Sequence, residues 1–155
     1  MKRVQKSILL WYSPREMYDL VVAVDRYPQF LPWCERAEVL EQVGDTMTAR
    51  LHLAYAGVRQ AFTTRNTHVP ERSVLVQLVD GPFSMLDGMW QFHPIGRAGA
   101  SARDVEPRAC RIEFELDYAF ASKPLDAVLS PVFDKVADTL VDRFVVRAEQ
   151  VYGSR

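Results

Sequence analysis

Long apolar runs are missing from this chain: none approaches the roughly 18 residues that a membrane-spanning helix needs. Cysteine is nearly missing as well. Cys34 and Cys110 have neither metal-ligand spacing nor the even, clustered count of a disulfide framework, so a stapled secreted scaffold is excluded and a reducing compartment is expected. There is no Gly-rich phosphate loop, no nucleophile elbow and no pair of metal ligands at helical spacing, which removes the usual signatures of nucleotide, hydrolase and metal chemistry. His52, His68 and His93 have no carboxylate or cysteine at a useful local distance in sequence. Cys34 has nothing nearby in sequence to lower its pKa and reads as a packed thiol. Net charge is also missing: 19 basic and 20 acidic residues leave −1, so no global field draws the chain to nucleic acid or anionic membrane. Lysine is scarce within the basic set, with four against fifteen arginines. Arginine suits planar bidentate contacts, and a GC-rich genome gives the same bias.

What is present is an ordinary globular composition, 48% hydrophobic and 25% charged over 155 residues, enough for one domain with its own core and no linker or internal repeat. The clearest pattern lies between Lys123 and Tyr152. Leu125, Val128–Leu129, Val132–Phe133, Val136–Ala137, Leu140–Val141, Phe144–Val145, Ala148 and Val151–Tyr152 recur at three-to-four spacing, which predicts one long amphipathic helix. Such a helix spans about 45 Å, and its stripe needs a large cover. Pro131 either kinks this helix or marks a later start near Ser130.

The segments before it read as strands. Residues 3–11 form an opening strand, not a signal peptide. Ser13-Pro14-x-Glu16 then has the composition of a helix start: N-cap serine, proline in the first turn and glutamate at the third position. Tyr27-Pro-Gln-Phe-Leu-Pro-Trp-Cys34 is irregular and aromatic-rich. Residues 35–43 and 46–55 flank Gly44-Asp45, and Ala56-Gly57 at the next turn fixes a register that pairs Tyr55 with Val58. One face of that hairpin then holds Met47, Ala49, Leu51 and Leu53 opposite Asn66, Thr64, Phe62 and Gln60. The other holds Thr48, Arg50, His52 and Ala54 opposite Arg65, Thr63, Ala61 and Arg59. Residues 73–79 are apolar on both parities, so their facing stays open. Asp80-Gly-Pro-Phe83 is a turn, residues 86–95 alternate, and Gly96 to Pro107 reads as a polar loop. The last strand puts Ile112, Phe114, Leu116, Tyr118 and Phe120 inside and Arg111, Glu113, Glu115 and Asp117 outside. Antiparallel strands followed by a segregated helix define an α+β fold.

Tyr27-Pro-x-Phe-Leu-Pro-Trp-Cys34, Asp80-Gly-Pro-Phe83, Trp90-x-Phe92 and the final strand with its helix resemble the coenzyme-Q-binding branch of START-like domains. That branch also holds the bacterial ribosome-association toxins, within the superfamily of the polyketide cyclases. The resemblance covers roughly residues 3 to 150. It implies a helix-grip fold: a curved antiparallel sheet of six to seven strands wrapped around the long C-terminal helix, with one or two short helices after the first strand. It further implies a cavity for a hydrophobic ligand, in this branch ubiquinone or another polyprenyl quinone supporting respiration. The bacterial members suggest instead a toxin that binds the large ribosomal subunit and blocks subunit joining.

These expectations assign residues. Tyr55, Gln60, Phe62, Thr64, Trp90, Phe92, Phe114 and Tyr118 would line the cavity, with Val132, Val136 and Leu140 opposite. Gln60, Thr64 and Asn66 stand among inward positions that a dry core disfavours and a ligand cavity uses to orient its guest; an aromatic core is the alternative. Phe30, Leu31 and Trp33 are either a gate that makes transient membrane contact or a packed corner. Arg50, Arg59 and Arg65 form an outer stripe that would meet RNA phosphates or simply face solvent. The first reading is a cytoplasmic carrier, peripheral to the inner membrane, that binds its ligand without a cofactor and without transforming it. A cyclase shaping a cavity around a polyketide is a third reading.

Overall fold

The computed structural model describes residues 1–95 and 108–155; the loop expected from Gly96 to Pro107 lies outside them. Strand β1 (Lys2–Leu10) leads into α1 (Pro14–Val22) and a 3-10 helix (Val24–Gln29). Six further strands follow: β2 (Cys34–Val43), β3 (Thr46–Tyr55), β4 (Val58–Val69), β5 (Ser73–Asp80), β6 (Phe83–Ile95) and β7 (Ala109–Phe120). Helix α2 (Lys123–Tyr152) ends the described elements. The seven strands make one antiparallel sheet in the order β1-β7-β6-β5-β4-β3-β2. Each strand from β2 to β7 lies beside its chain neighbour, and β1 closes onto β7 at the far edge.

Local chemistry explains the elements. Ser13 caps α1 reciprocally: its hydroxyl accepts from Glu16 N–H at 3.0 Å, and Glu16 Oε1 accepts from Ser13 N–H at 2.9 Å. The β3–β4 turn has Ala56 at φ 52° and Gly57 at φ 80°, the pair of positive angles that a two-residue hairpin needs. The register expected from it, Met47–Asn66 through Tyr55–Val58, is the register observed. Gly81 has φ 153° and stands so close to β4 that an added Cβ would lie 2.7 Å from Phe62 Cβ, which accounts for glycine in Asp80-Gly-Pro-Phe83. Edge strand β2 carries two irregularities, at Cys34/Arg36 and Val39/Glu41. Such breaks twist an edge away from further pairing.

Helix α2 begins at Lys123, with Ser122 accepting from Leu125 N–H at 3.3 Å, and runs through Pro131 without ending. The later start near Ser130 is therefore corrected: the residues ahead of the proline are helical, and Pro131 costs one interior bond instead of setting a boundary. Leu129, Val132, Phe133, Val136, Ala137, Val141, Phe144 and Ala148 are buried, whereas Val128 and Val151 are exposed, because the stripe drifts off the sheet at both ends. The strand of open facing is settled too: Val74 is buried and Val76 and Leu78 pack on the core, while Val79 is exposed. No helix among the described residues is long and apolar enough to cross a membrane.

Candidate functional site

The concave sheet face and α2 enclose a cavity of about 100 Å³. Its floor is laid by β3 to β7 through Ala49, Leu51, Phe62, Val76, Leu86, Trp90 and Phe114, its roof by α2 through Phe133, Val136, Leu140 and Phe144, and one wall by Val24, Tyr27 and Trp33. Gly88 leaves room in β6 where a Cβ would meet Leu116 Cδ1 at 3.3 Å. The lining is apolar except for Tyr27, the indoles of Trp33 and Trp90, Thr64 and Asn66, and it contains no ionisable side chain besides the tyrosine. Thr64 Oγ1 donates to Asn66 Oδ1 at 2.9 Å, with both residues buried. Trp33 Nε1, also buried, has no acceptor.

The expected cavity residues fall into two groups. Phe62, Thr64, Trp90, Phe114, Val136 and Leu140 line the cavity. The other five lie elsewhere. Tyr55 has the inward parity but is 40% exposed, because β3 runs past the sheet's concavity at its hairpin end. Gln60 and Val132 border a separate void of about 10 Å³ with Leu53 and Phe83. Phe92 packs edge-on to Tyr18 of α1 at 6.0 Å. Tyr118 donates to Asp134 Oδ1 of α2 at 2.5 Å. Val24, Tyr27 and Phe144 were not anticipated. Phe144 was legible as part of the helix stripe, but its partner segment Tyr27–Trp33 gives no periodic signal.

That segment forms a packed corner. Tyr27 donates to Val21 O at 2.5 Å, and burial raises its phenol pKa. Leu31 N–H and Phe30 N–H both bond Tyr27 O, and Trp33 O accepts from Ala54 N–H of β3 at 2.9 Å. Tyr27, Phe30 and Phe144 meet edge to face at 5.0–5.9 Å, and Arg147 lies 5.1 Å over the Phe30 ring and donates to Gln29 Oε1 at 2.7 Å. Leu31 and Trp33 are 1% and 5% exposed, their side chains spent on the core, the arrangement of the packed-corner alternative. Cys34 is a buried thiol pushed up to about 11 by desolvation, which suits packing and not nucleophilic attack.

Helix α2 is tied down in its first half and at its C-terminal end. About three turns in, Lys2 Nζ meets Asp134 Oδ2 at 2.6 Å and also contacts Ser130, while Asp134 accepts from Tyr118. Near its end Arg155 pairs with Glu16 at 2.6 and 2.8 Å, Tyr152 donates to Glu16 O at 3.1 Å, and Tyr12 donates to Gly153 O at 2.8 Å.

The outer stripe is mixed in charge. Arg59 pairs with Glu35 at 3.1 Å and Arg36 with Glu38 at 3.2 Å, and His52 donates to Glu38 at 2.8 Å, the hydrogen bond that most lowers the Glu38 pKa. Arg50 and Arg65 have no ion-pair partner among the described residues. They lie diagonally across the β3–β4 ladder, since Arg50 opposes Thr63 and Arg65 opposes Thr48.

An antiparallel sheet gripping a long C-terminal helix around a cavity is the START-like helix-grip architecture, and comparison places the chain within it. Residues 10–145 match the family of polyketide cyclase / dehydrase and lipid transport proteins, and the chain belongs to that family. It is 42% identical over 150 residues to the ribosome association toxin RatA of Pseudomonas aeruginosa, covering 97% of each chain. It is 30% identical to the mitochondrial coenzyme Q-binding protein COQ10 homolog B of Xenopus laevis, over 98% of this chain and 61% of that one. A START superfamily protein from Mycobacterium smegmatis superposes with a TM-score of 0.76 at 18% identity, over 96% and 98% of the two chains, a likeness that concerns the fold alone.

Proposed function

We propose that this protein associates with the ribosome, binding the large subunit and blocking subunit joining without catalysing a reaction. The observation that carries the reading is the 42% identity to a ribosome association toxin across 97% of both chains, against 30% to the coenzyme Q-binding relative. The cavity weighs the same way: about 100 Å³ is well below the roughly 300–1,000 Å³ of ordinary small-molecule sites, so the closed state has no room for a polyprenyl chain. Arg50 and Arg65 are outer-face cations in no ion pair among the described residues, although Glu38 stands opposite Arg50 across β2–β3, and they are the ones placed to meet RNA phosphates. Cosedimentation with purified large subunits over a salt series tests this. Binding should weaken with salt, and Arg50→Glu with Arg65→Glu should lower the slope of log affinity against log salt by about 2. Failure of the unmodified protein to pellet with the large subunit at low salt rejects the reading.

A second reading keeps the cavity as a site for a hydrophobic ligand. It is favoured by one observation: the cavity lining includes the buried, hydrogen-bonded Thr64–Asn66 pair, polar groups that a core evolved only for packing would avoid. A tailed quinone would require the 24–33 corner to open.

A further inference from the structure

We propose that the free edge of β1 pairs with β1 of a second copy of this chain, antiparallel and centred on Ser7, so that two sheets join into one.

The two ends of the sheet are built differently. The sheet runs from β1 to β2, and the far side of each pairs with no strand among the described residues. Edge strand β2 is broken at Cys34/Arg36 and Val39/Glu41, the kind of irregularity that keeps another strand from adding. Strand β1 has no such break: Lys2 to Leu10 pair with Tyr118 to Cys110 in one continuous register. A regular edge of this kind offers its outward N–H and C=O groups at the spacing a new strand needs. Within it only Val4, Ile8 and Leu10 are even partly buried. Large apolar side chains stand at its end: Leu9 is 68% exposed, and Trp11, one residue past the strand, is 69% exposed. Tryptophan is enriched where one protein surface meets another.

The sequence of β1 is complementary to itself in one register. Paired strands keep their faces only when residues of like parity stand opposite, so the two-fold axis must fall on a residue. An axis at Lys6 would set two ammonium groups opposite each other, which is repulsive. An axis at Gln5 would leave Trp11 beyond the end of the second strand, and an axis at Ile8 would shorten the pairing. An axis at Ser7 pairs Val4 to Leu10 in full. It puts Leu10 opposite Val4 of the second copy, Ile8 beside the aliphatic stem of its Lys6, and Trp11 opposite its Arg3. Asp117 holds the Arg3 guanidinium at 2.7 and 3.0 Å, which fixes a flat cation on which an indole can stack. Strands β3 and β4 lie toward the opposite end of the sheet, so joining through β1 leaves the Arg50 and Arg65 stripe open on both copies.

Sedimentation velocity of the full chain tests this from about 5 to 500 µM, where the dimer fraction should rise with concentration. Trp11→Lys sets a like charge opposite Arg3 at two symmetric places and should weaken association about tenfold or more. The Trp11 side chain is exposed, and thermal melts check that the variant folds. Disulfide formation under mild oxidation reads the register. Residues directly opposite have Cα atoms about 4.5–5.5 Å apart, within disulfide reach, and the native Cys34 and Cys110 are buried. Ser7→Cys should give a covalent dimer at least about tenfold faster than Gln42→Cys on edge strand β2, because association holds the two thiols together. A chain that stays monomeric up to about 500 µM overturns the proposal. Association undiminished in Trp11→Lys, or equal linkage rates in Ser7→Cys and Gln42→Cys, overturns the β1 pairing by placing the contact elsewhere.

Discussion

Filling the cavity separates the two readings of this fold, and Ala49→Val is the substitution to make. Ala49 is 1% exposed on the inner face of β3, opposite Thr64, and lines the void; a β-branched side chain is favoured on a strand. At about 24 cal/mol per Å³ the 100 Å³ void costs roughly 2.4 kcal/mol, which is the ceiling on what filling it can return. Water held by Thr64 and Asn66 lowers that ceiling. The two added carbons of valine occupy about half the space, so the expected gain is about 1 kcal/mol. For a chain of this length that raises Tm by about 2–4 °C. Thermal melts by circular dichroism and urea midpoints at unchanged m-value measure it. A fall in Tm of more than about 2 °C refutes the reasoning, because it means that valine is overpacked into a filled core, a change that costs about 1–3 kcal/mol. The same variant should pellet with large ribosomal subunits as well as the wild type does, since Ala49 faces away from the outer sheet surface.

Four further outcomes follow from the geometry. Tyr118→Phe removes the 2.5 Å hydrogen bond to Asp134 from a tyrosine that is 1% exposed. It should cost about 1–2 kcal/mol and lower Tm by about 2–8 °C. Ala56→Asn relieves a non-glycine residue held at φ 52° and should add about 1 kcal/mol, visible as a higher urea midpoint. His68 is buried, and desolvation lowers its pKa below the usual 6.5 against a weaker opposing pull from Asp45. The unfolded state then takes up a proton that the folded state refuses, so stability is complete above pH 6.5 and declines as pH falls below it. His68→Phe should flatten urea midpoints between pH 6.5 and 5. Arg147→Ala unlatches Gln29 and Phe30 and should speed deuterium exchange at the Trp33 indole N–H about threefold, as expected for a lost contact of 0.5–1 kcal/mol; an unchanged rate would mean that the corner opens elsewhere.

How far the sequence carries depends on the range of the interaction. The β3–β4 register was legible because Ala56-Gly57 can adopt paired positive φ, and one correct turn fixes every pair up to Met47–Asn66. The span of α2 was legible because eight turns of apolar spacing exceed any competing pattern. Parity, however, gives the face of a strand and says nothing of position along the concavity. Tyr55 and Ala49 share the inner face of β3, yet Tyr55 is 40% exposed and Ala49 1%. The β5 strand was illegible for a related reason: with Val74, Leu75, Val76, Leu78 and Val79 apolar on both sides, only its neighbours decide which side is in.

The cavity's polar logic was partly readable. Thr64 and Asn66 stood out as polar residues among inward positions, and the structure brings them into one hydrogen-bonded pair on the cavity wall. Trp33 drew attention as part of the aromatic corner, but its significance depends on what its indole N–H lacks, and a missing partner leaves no trace in sequence. The same holds for Tyr118, whose hydroxyl is satisfied by Asp134 from a different element. Because α2 is tied down by Lys2 and Tyr118 at Asp134 and by Glu16 and Arg155 at its C-terminal end, the helix is held as a roof. Under the hydrophobic-ligand reading, a guest that exceeds the void would displace the wall formed by Val24, Tyr27 and Trp33 in preference to the helix. A ribosome contact on the outer face of β3 and β4, as proposed, would need no such displacement, so the two proposed activities would place separate demands on the fold and be separable by mutation.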